Sequence, residues 1–281
     1  MPNLSELKTQ IGSVKDIGKI TGAMELVATA KLKKITRRVG EIHNYLEEVY
    51  DVFNYIISNS EDSIYLKKPN QQINNTLWVL ISSNLGLCGG YNANIFKLVQ
   101  NEIKQEDSII AIGTKAISFC NQYNFNIKSK VTNIDVDFTN EQAREIASDI
   151  LEAYTLKKYD AVNIVYTKFI NNATFEPSII NMFPIEKKEQ SNTGEIITLE
   201  PDPETVLATS ISLYLNTIIF GTILESQLSE QASRRMAMES ATKNGKELSQ
   251  ELTVLYNRKR QENITQEISE IVGGANAQND N

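Results

Sequence analysis

The chain has 281 residues, 28 Lys and Arg against 35 Asp and Glu, a net charge of −7 and 41% hydrophobic residues. That length and apolar content exclude general disorder and allow one large or two modest domains, and the acidic balance excludes a broad nucleic-acid footprint. Two cysteines, Cys88 and Cys120, are too few for a disulfide framework and read as reduced cytosolic thiols, and the single histidine, His43, leaves little room for imidazole-based metal sites or a catalytic triad.

Taken in chain order, Met1–Gln10 has no apolar stretch, so no secretory leader is expected. Proline falls at Pro2 and next at Pro69, and none follows Pro203, so both ends are free to be long helices. Leu32, Ile35, Val39, Ile42, Leu46, Val49, Phe53 and Ile56 alternate in steps of three and four, the seam of a coiled coil. Leu4, Leu7, Ile11 and Val14 obey the same rule. Ile17, Ile20 and Met24 then follow in two three-residue steps and predict a local change of supercoil.

The middle of the chain changes period. Thr76–Ser83 reads as a buried strand ending in the glycine loop Asn84–Gly90 (NLGLCGG). Helical spacing follows at Ile95, Leu98, Val99 and Ile103. Ser108–Gly113 is a second strand, then comes a helix through Ile117 and Phe119. Glu141–Tyr159 is a further helix, Asp160–Ile170 a third strand, and Ile179–Ile185 an edge strand. This alternation predicts an α/β domain with a mostly parallel, Rossmann-like sheet over residues 74–200. Lys187–Glu200 is polar and turn-rich, a linker.

From Asp202 or Pro203 a second long helix is expected, with Leu207, Ile211, Leu215 and Ile218 opening its seam. Leu248, Leu252, Leu255, Ile264, Ile268 and Ile271 close it. The uncharged run between Glu204 and Glu225 is long enough to span a bilayer, but its Ser, Thr and Asn content and acidic flanks predict a buried helix, not a transmembrane segment. Helices of roughly 55 and 70 residues would run about 80 and 105 Å, too long for a compact domain. The expected organisation is residues 1–60 and 203–281 paired as an antiparallel coiled coil beside the α/β domain.

Four constellations could carry chemistry. Gly86, Gly89 and Gly90 sit where an α/β fold binds phosphate, but the spacing is neither GxGxxG nor a P-loop, and a tight strand-to-helix turn is the favoured reading. Cys88 has no identifiable base nearby in sequence, and Asp135 and Asp137 read as solvated turn residues. Lys31, Lys33, Lys34, Arg37 and Arg38 crowd about two helical turns, either a solvated face or a collar for an acidic partner.

Several runs then carry a resemblance. Lys19–Ala28 (KITGAMELVA), Gly86–Gly90 (GLCGG), Lys168–Asn171 (KFIN), Glu200–Pro203 (EPDP), Ser229–Ala232 (SEQA) and above all Tyr256–Ala275 (YNRKRQENITQEISEIVGGA) resemble, in order, the γ subunits of F-type ATP synthases. The resemblance implies a non-catalytic rotor shaft without cofactor, metal or nucleotide of its own. It would turn inside a hexamer of three α and three β subunits, with its foot on the ε subunit and the ring of c subunits. Its place would be peripheral, at the cytoplasmic face of the cell membrane. It also implies rotor–stator contacts at Met24, Lys31, Lys33, Lys34, Arg234, Arg260, Gln261, Thr265, Glu267 and Glu270, and a foot near Glu200 and Asp202. Gly22 and the pair Asn84–Leu85 depart from the family's usual residues. The alternative is a γ-like shaft coupled to a mechanical partner rather than to proton flow. A standalone α/β ligand-binding protein with coiled-coil arms is the reading from a different class.

Overall fold

In the computed structural model, which describes residues 3–60, 63–68, 72–187 and 199–279, the two proline-free ends are single helices: α1 (Leu4–Asn59) and α5 (Pro203–Asn279). The polar linker falls largely in 188–198, outside the described residues. Asp202 starts α5. Its carboxylate accepts from the Thr205 N–H at 2.9 Å and the Thr205 hydroxyl at 2.8 Å, with Pro203 in the first turn.

Between the long helices run β1 (Thr76–Ile81), α2 (Tyr91–Val99), β2 (Ser108–Ile112), α3 (Thr114–Gln122), β3 (Asn126–Val131), α4 (Asn140–Thr155), β4 (Ala161–Asn171) and β5 (Thr174–Phe183). The sheet order is β3-β2-β1-β4-β5. The first four pair parallel, and β5 returns antiparallel on β4. This is the mixed, mostly parallel sheet expected. β1 is buried along its whole length, as a central strand with helices on both faces must be. Its alternate residues divide between two cores. Leu77, Val79 and Ile81 face α4 and the long helices, whereas Trp78 and Leu80 face α2 and α3.

Element ends depart from the periodicity in four places. Asn126–Val131 (NIKSKV) is a strand that hydrophobicity does not announce. It lies at the sheet's edge, where alternate side chains meet solvent and lysines discourage edge pairing. β5 begins earlier than Ile179, because Asn171 Oδ1 accepts from the N–H groups of Ala173 and Thr174 and closes a hairpin there. α4 stops at Thr155 rather than Tyr159, with Lys157 at φ +54° and its N–H on the Tyr154 carbonyl. α2 ends at Val99, short of Ile103. The start of α4, by contrast, is an explicit capping box between Thr139 and Gln142.

The chain divides into two compact units, Ala28–Arg234 and Met1–Val27 with Arg235–Asn281. In the first, α1 and α5 pair along the expected seam: Leu32 and Ile35 cluster with Leu228 and Ala232, and Phe53 stacks on Tyr214 with centroids 3.8 Å apart. An apolar window of α5 satisfies membrane-span length and composition, yet half of it is buried here. Leu207, Ile211, Leu215, Ile218 and Ile223 enter the core over the sheet, and the Thr222 hydroxyl returns to the Ile218 carbonyl at 2.8 Å. The run is a core helix, as its polar content predicts.

In the second unit the seam differs from the expected one. Leu4, Leu7, Ile11 and Val14 face inward as expected, but Ile17 and Ile20 are exposed, at 57% and 60%, and the seam continues instead through Gly18 and Thr21. On α5 the buried or half-buried positions are Met238, Thr242, Gly245, Ser249, Leu252 and Tyr256, while Leu248 and Leu255 face out. Both seams therefore keep alternating steps of three and four through small and hydroxylated residues, and no supercoil break occurs at residues 17–24. The Thr21 and Thr242 hydroxyls meet at 2.8 Å. That register places Leu4 near Lys259, so Ile264, Ile268 and Ile271 lie beyond the start of α1 and are exposed instead of closing the seam.

One buried carboxylate ties the sheet together at the entry to β1. Asp107, 2% exposed, accepts from Thr76 N–H (2.9 Å), Trp78 Nε1–H (3.0 Å) and Lys104 N–H (2.9 Å). Asp107→Ala leaves three donors without an acceptor and is expected to cost about 3 kcal/mol. Thermal or denaturant unfolding measures the loss.

Candidate functional site

In a parallel α/β sheet the ligand crevice lies outside the carboxyl ends of the strands, where the connections reverse direction. Here β1 is followed by β2 on one side and flanked by β4 on the other, so the switch point lies between β1 and β4. The glycine loop Asn84–Gly90 leaves β1 at that point. Leu87 (φ +61°) and Gly89 (φ +56°) adopt left-handed conformations that turn the chain sharply into α2. Gly113, at the end of β2, is required more strictly: at φ +91°, a Cβ there would lie 2.3 Å from the Ser82 carbonyl oxygen.

The crevice is occupied by the chain itself. Ser226, Ser229 and Ser233 share one face of α5 and are all buried. Ser226 Oγ accepts from the Thr167 N–H (3.2 Å), Ser229 Oγ donates to the Thr167 carbonyl (3.2 Å), and Ser233 Oγ donates to the Cys88 carbonyl (2.6 Å). Glu225 accepts from the Phe169 N–H at 3.1 Å. Arg234 donates to the Leu85 and Gly86 carbonyls at 3.1 and 3.3 Å and pairs with Glu230 at 2.5 Å. A phosphate nest aims N–H groups at an anion. This loop gives three carbonyls to a hydroxyl and a guanidinium, the opposite polarity, so the strand-to-helix turn is the correct reading of its glycines.

The titratable groups here serve packing. Burial pushes the Cys88 thiol up, against partial relief from Ser83 and the Arg234 charge, and burial takes Cys120 to about 11. Neither is a poised thiolate nucleophile. Burial likewise raises Glu225 and Glu230, opposed by the Phe169 N–H and by Arg234 respectively.

The lysine cluster meets acids of its own chain. Lys31 Nζ lies 2.8 Å from Asp135 and Lys34 Nζ 2.5 Å from Asp137, while Arg38 donates to the carbonyls of Val136 and, at 2.6 Å, Phe138. Asp135 and Asp137, which read as solvated turn residues, are thus the partners of the collar. No spacing announces this, since the pairs are about a hundred residues apart. Asn84, where the chain departs from the γ pattern, donates to the Thr132 and Ile134 carbonyls and accepts from Thr114 N–H, joining two loops and capping α3.

The other candidate positions lie elsewhere. Lys33 is exposed, and Glu200 is exposed ahead of α5. In the helical unit Met24 is half-buried, Arg260, Gln261, Thr265 and Glu267 are exposed, and exposed Glu270 accepts from Gln266 at 2.9 Å. Lys31, Lys34 and Arg234 converge on the loops at the sheet's carboxyl edge. Arg38 of the basic cluster joins them, as do Ser229 and Glu230 of the SEQA run, together with Ser226 and Ser233, which sequence reading did not single out. Their one signal was the three-and-four spacing of serines on a helix.

The Lys31 hydrogen bond holds the Asp135 carboxyl below the usual carboxylate range. A lowered folded-state pKa stabilises the fold above the ordinary value, and that contribution is lost as pH falls. Lys31→Gln is expected to cost at most about 1 kcal/mol at neutral pH, since the pair is largely exposed, with the difference from the native chain closing below about pH 4. Denaturant unfolding at stepped pH checks it.

Comparison with known proteins places this geometry. A family model described as ATP synthase matches residues 3–278. The protein named ATP synthase gamma chain in Mycoplasma capricolum is 57% identical over 277 residues, 98% of this chain and 99% of the relative. Its counterpart in Mycoplasmopsis pulmonis is 42% identical over 98% and 99%. Among solved structures, a chain of the Euglena gracilis mitochondrial ATP synthase OSCP/F1/c-ring assembly superposes with a TM-score of 0.73 at 20% identity, covering 98% of this chain and 94% of that one. A chain of the Tetrahymena thermophila mitochondrial ATP synthase central stalk/c-ring gives 0.59 at 25% identity, over 79% and 99%.

Proposed function

This chain belongs to the ATP synthase gamma-chain family, and on that premise we propose that it is the central rotor shaft of a proton-linked F-type ATP synthase. The observation that carries the reading is end-to-end similarity at 57% identity to a gamma chain, on a fold whose ligand crevice is filled by its own helix. The chain then has no chemistry of its own. ATP is made and hydrolysed in the β subunits, and the shaft acts by presenting a different surface to each of three α and three β subunits as it turns. Its foot, including Glu200 and Asp202, meets the ε subunit and the c ring. The complex sits at the cytoplasmic face of the membrane with this chain peripheral to it.

Within that role the working division is helix 1–60, foot 74–200 and helix 203–281. Met24, Lys33, Arg260, Gln261, Thr265, Glu267 and Glu270 are the outward candidates for rotor–stator contact. Lys31, Lys34 and Arg234 hold in-chain partners as well, so their contribution to a stator is their remaining field.

Affinity purification of the native complex through this chain, with identification of every co-purifying subunit, tests the assignment. Recovery of α, β, ε and c with ATP-driven proton pumping is expected; hydrolysis without a proton gradient would sink proton coupling. Lys33→Glu, at an exposed position, is expected to change folding stability by no more than about 0.5 kcal/mol. Pumping per ATP hydrolysed in membrane vesicles should fall, and an unchanged ratio removes Lys33 from the contact set.

A further inference from the structure

Three segments of the α/β domain grip the α1–α5 pair at one level. The packing of Leu32 and Ile35 on Leu228 and Ala232 sets α1 residues 31–38 beside α5 residues 225–234. From one side the loop 132–138 holds Lys31, Lys34 and Arg38 of α1, and takes a 2.8 Å bond from Gln227 Nε2 of α5 to the Asp135 carbonyl. From a second, the glycine loop holds Ser233 and Arg234. From a third, the end of β4 holds Ser226 and Ser229.

Apolar packing is non-directional: it opposes separation but lets surfaces slide. Hydrogen bonds weaken steeply with angle, so bonds placed around a helix pair oppose twisting of that pair within its socket. The two arginines are the stiffest members, because a planar guanidinium fixes several donors at once. Arg38 reaches two carbonyls of one loop, and Arg234, whose side chain is 9% exposed, reaches two of another while braced by Glu230.

We propose that this polar clasp sets the torsional stiffness of the joint between the α/β domain and the helix pair, with Arg38 and Arg234 as its main positioning residues. The inference rests on the rotor reading above. The chain connects domain and helices covalently with or without the clasp, so loss of the clasp softens the joint instead of severing it. Energy delivered at the foot would then be stored over a wider angle before it reaches the helices.

The test uses the whole complex with its catalytic ring immobilised and turnover stalled. A probe is attached through Asn172→Cys in the exposed β4–β5 turn, the native thiols being buried. In the Arg38→Met/Arg234→Met variant the angular variance of the probe is expected to rise at least about two-fold. Asp107→Asn, at the opposite, amino edge of the sheet, is the control for general destabilisation and is expected to leave the variance unchanged. Variance at the parent value in the double variant, or equal broadening in the control, overturns the clasp. Should the double variant fail to assemble, Lys34→Gln and Ser233→Ala read the same quantity, and parental variance in both overturns it. A parent complex that does not rotate at all sinks the rotor reading and the clasp with it, whereas normal rotation with unchanged variance sinks the clasp alone.

Discussion

Long helices with an apolar seam cannot stand alone in water, and the rest of this structure follows from how that seam is covered. Where the chain has a sheet, α1 and α5 press the rows Phe53–Ile57 and Leu207–Ile223 into the sheet's core and cover each other with the remainder. Where it has none, the contact narrows to Leu7, Thr21, Met238, Thr242 and Ser249. Small seam residues bury little area, so hydrophobic bulk contributes less there and the Thr21–Thr242 hydroxyl contact contributes more.

The same economy shapes the carboxyl edge of the α/β sheet, where the strand order reverses between β1 and β4. The crevice between β1 and β4 has glycine turns and helix starts of the type that hold phosphate elsewhere, yet α5 lays three serines and an arginine into it. The Thr167 N–H and the carbonyls of Thr167, Leu85, Gly86 and Cys88 are met there by side chains of α5, which spares those groups their desolvation cost. The carboxyl edge of the sheet serves as a socket for α5.

Charge on the first helix is divided in a comparable way. Lys31, Lys34 and Arg38 are spent on the loop 132–138, and Lys33, one step round the helix, faces solvent. A cluster that reads as a single basic collar is two populations, one structural and one available to partners. Helical geometry makes the split, since positions 31, 34 and 38 share a face that 33 does not.

The amino-acid sequence by itself determined the two long helices, the buried strands and the membership carried by runs such as Lys19–Ala28 and Tyr256–Ala275. Each of these is a local signal: a period, a cap, a breaker or a contiguous motif. Only the tertiary structure decided that NIKSKV is an edge strand, that Ile17, Ile20 and Ile264–Ile271 lie off the seam, and that Asp135, Asp137 and the serine face of α5 belong with the lysines and the glycine loop. Those outcomes depend on which partner lies opposite at distances of fifty to a hundred and fifty residues along the chain. A hydrophobic period cannot report that, because the repeat of Ile264, Ile268 and Ile271 has the same spacing as the buried one of Leu32 to Ile56 yet has no partner opposite it.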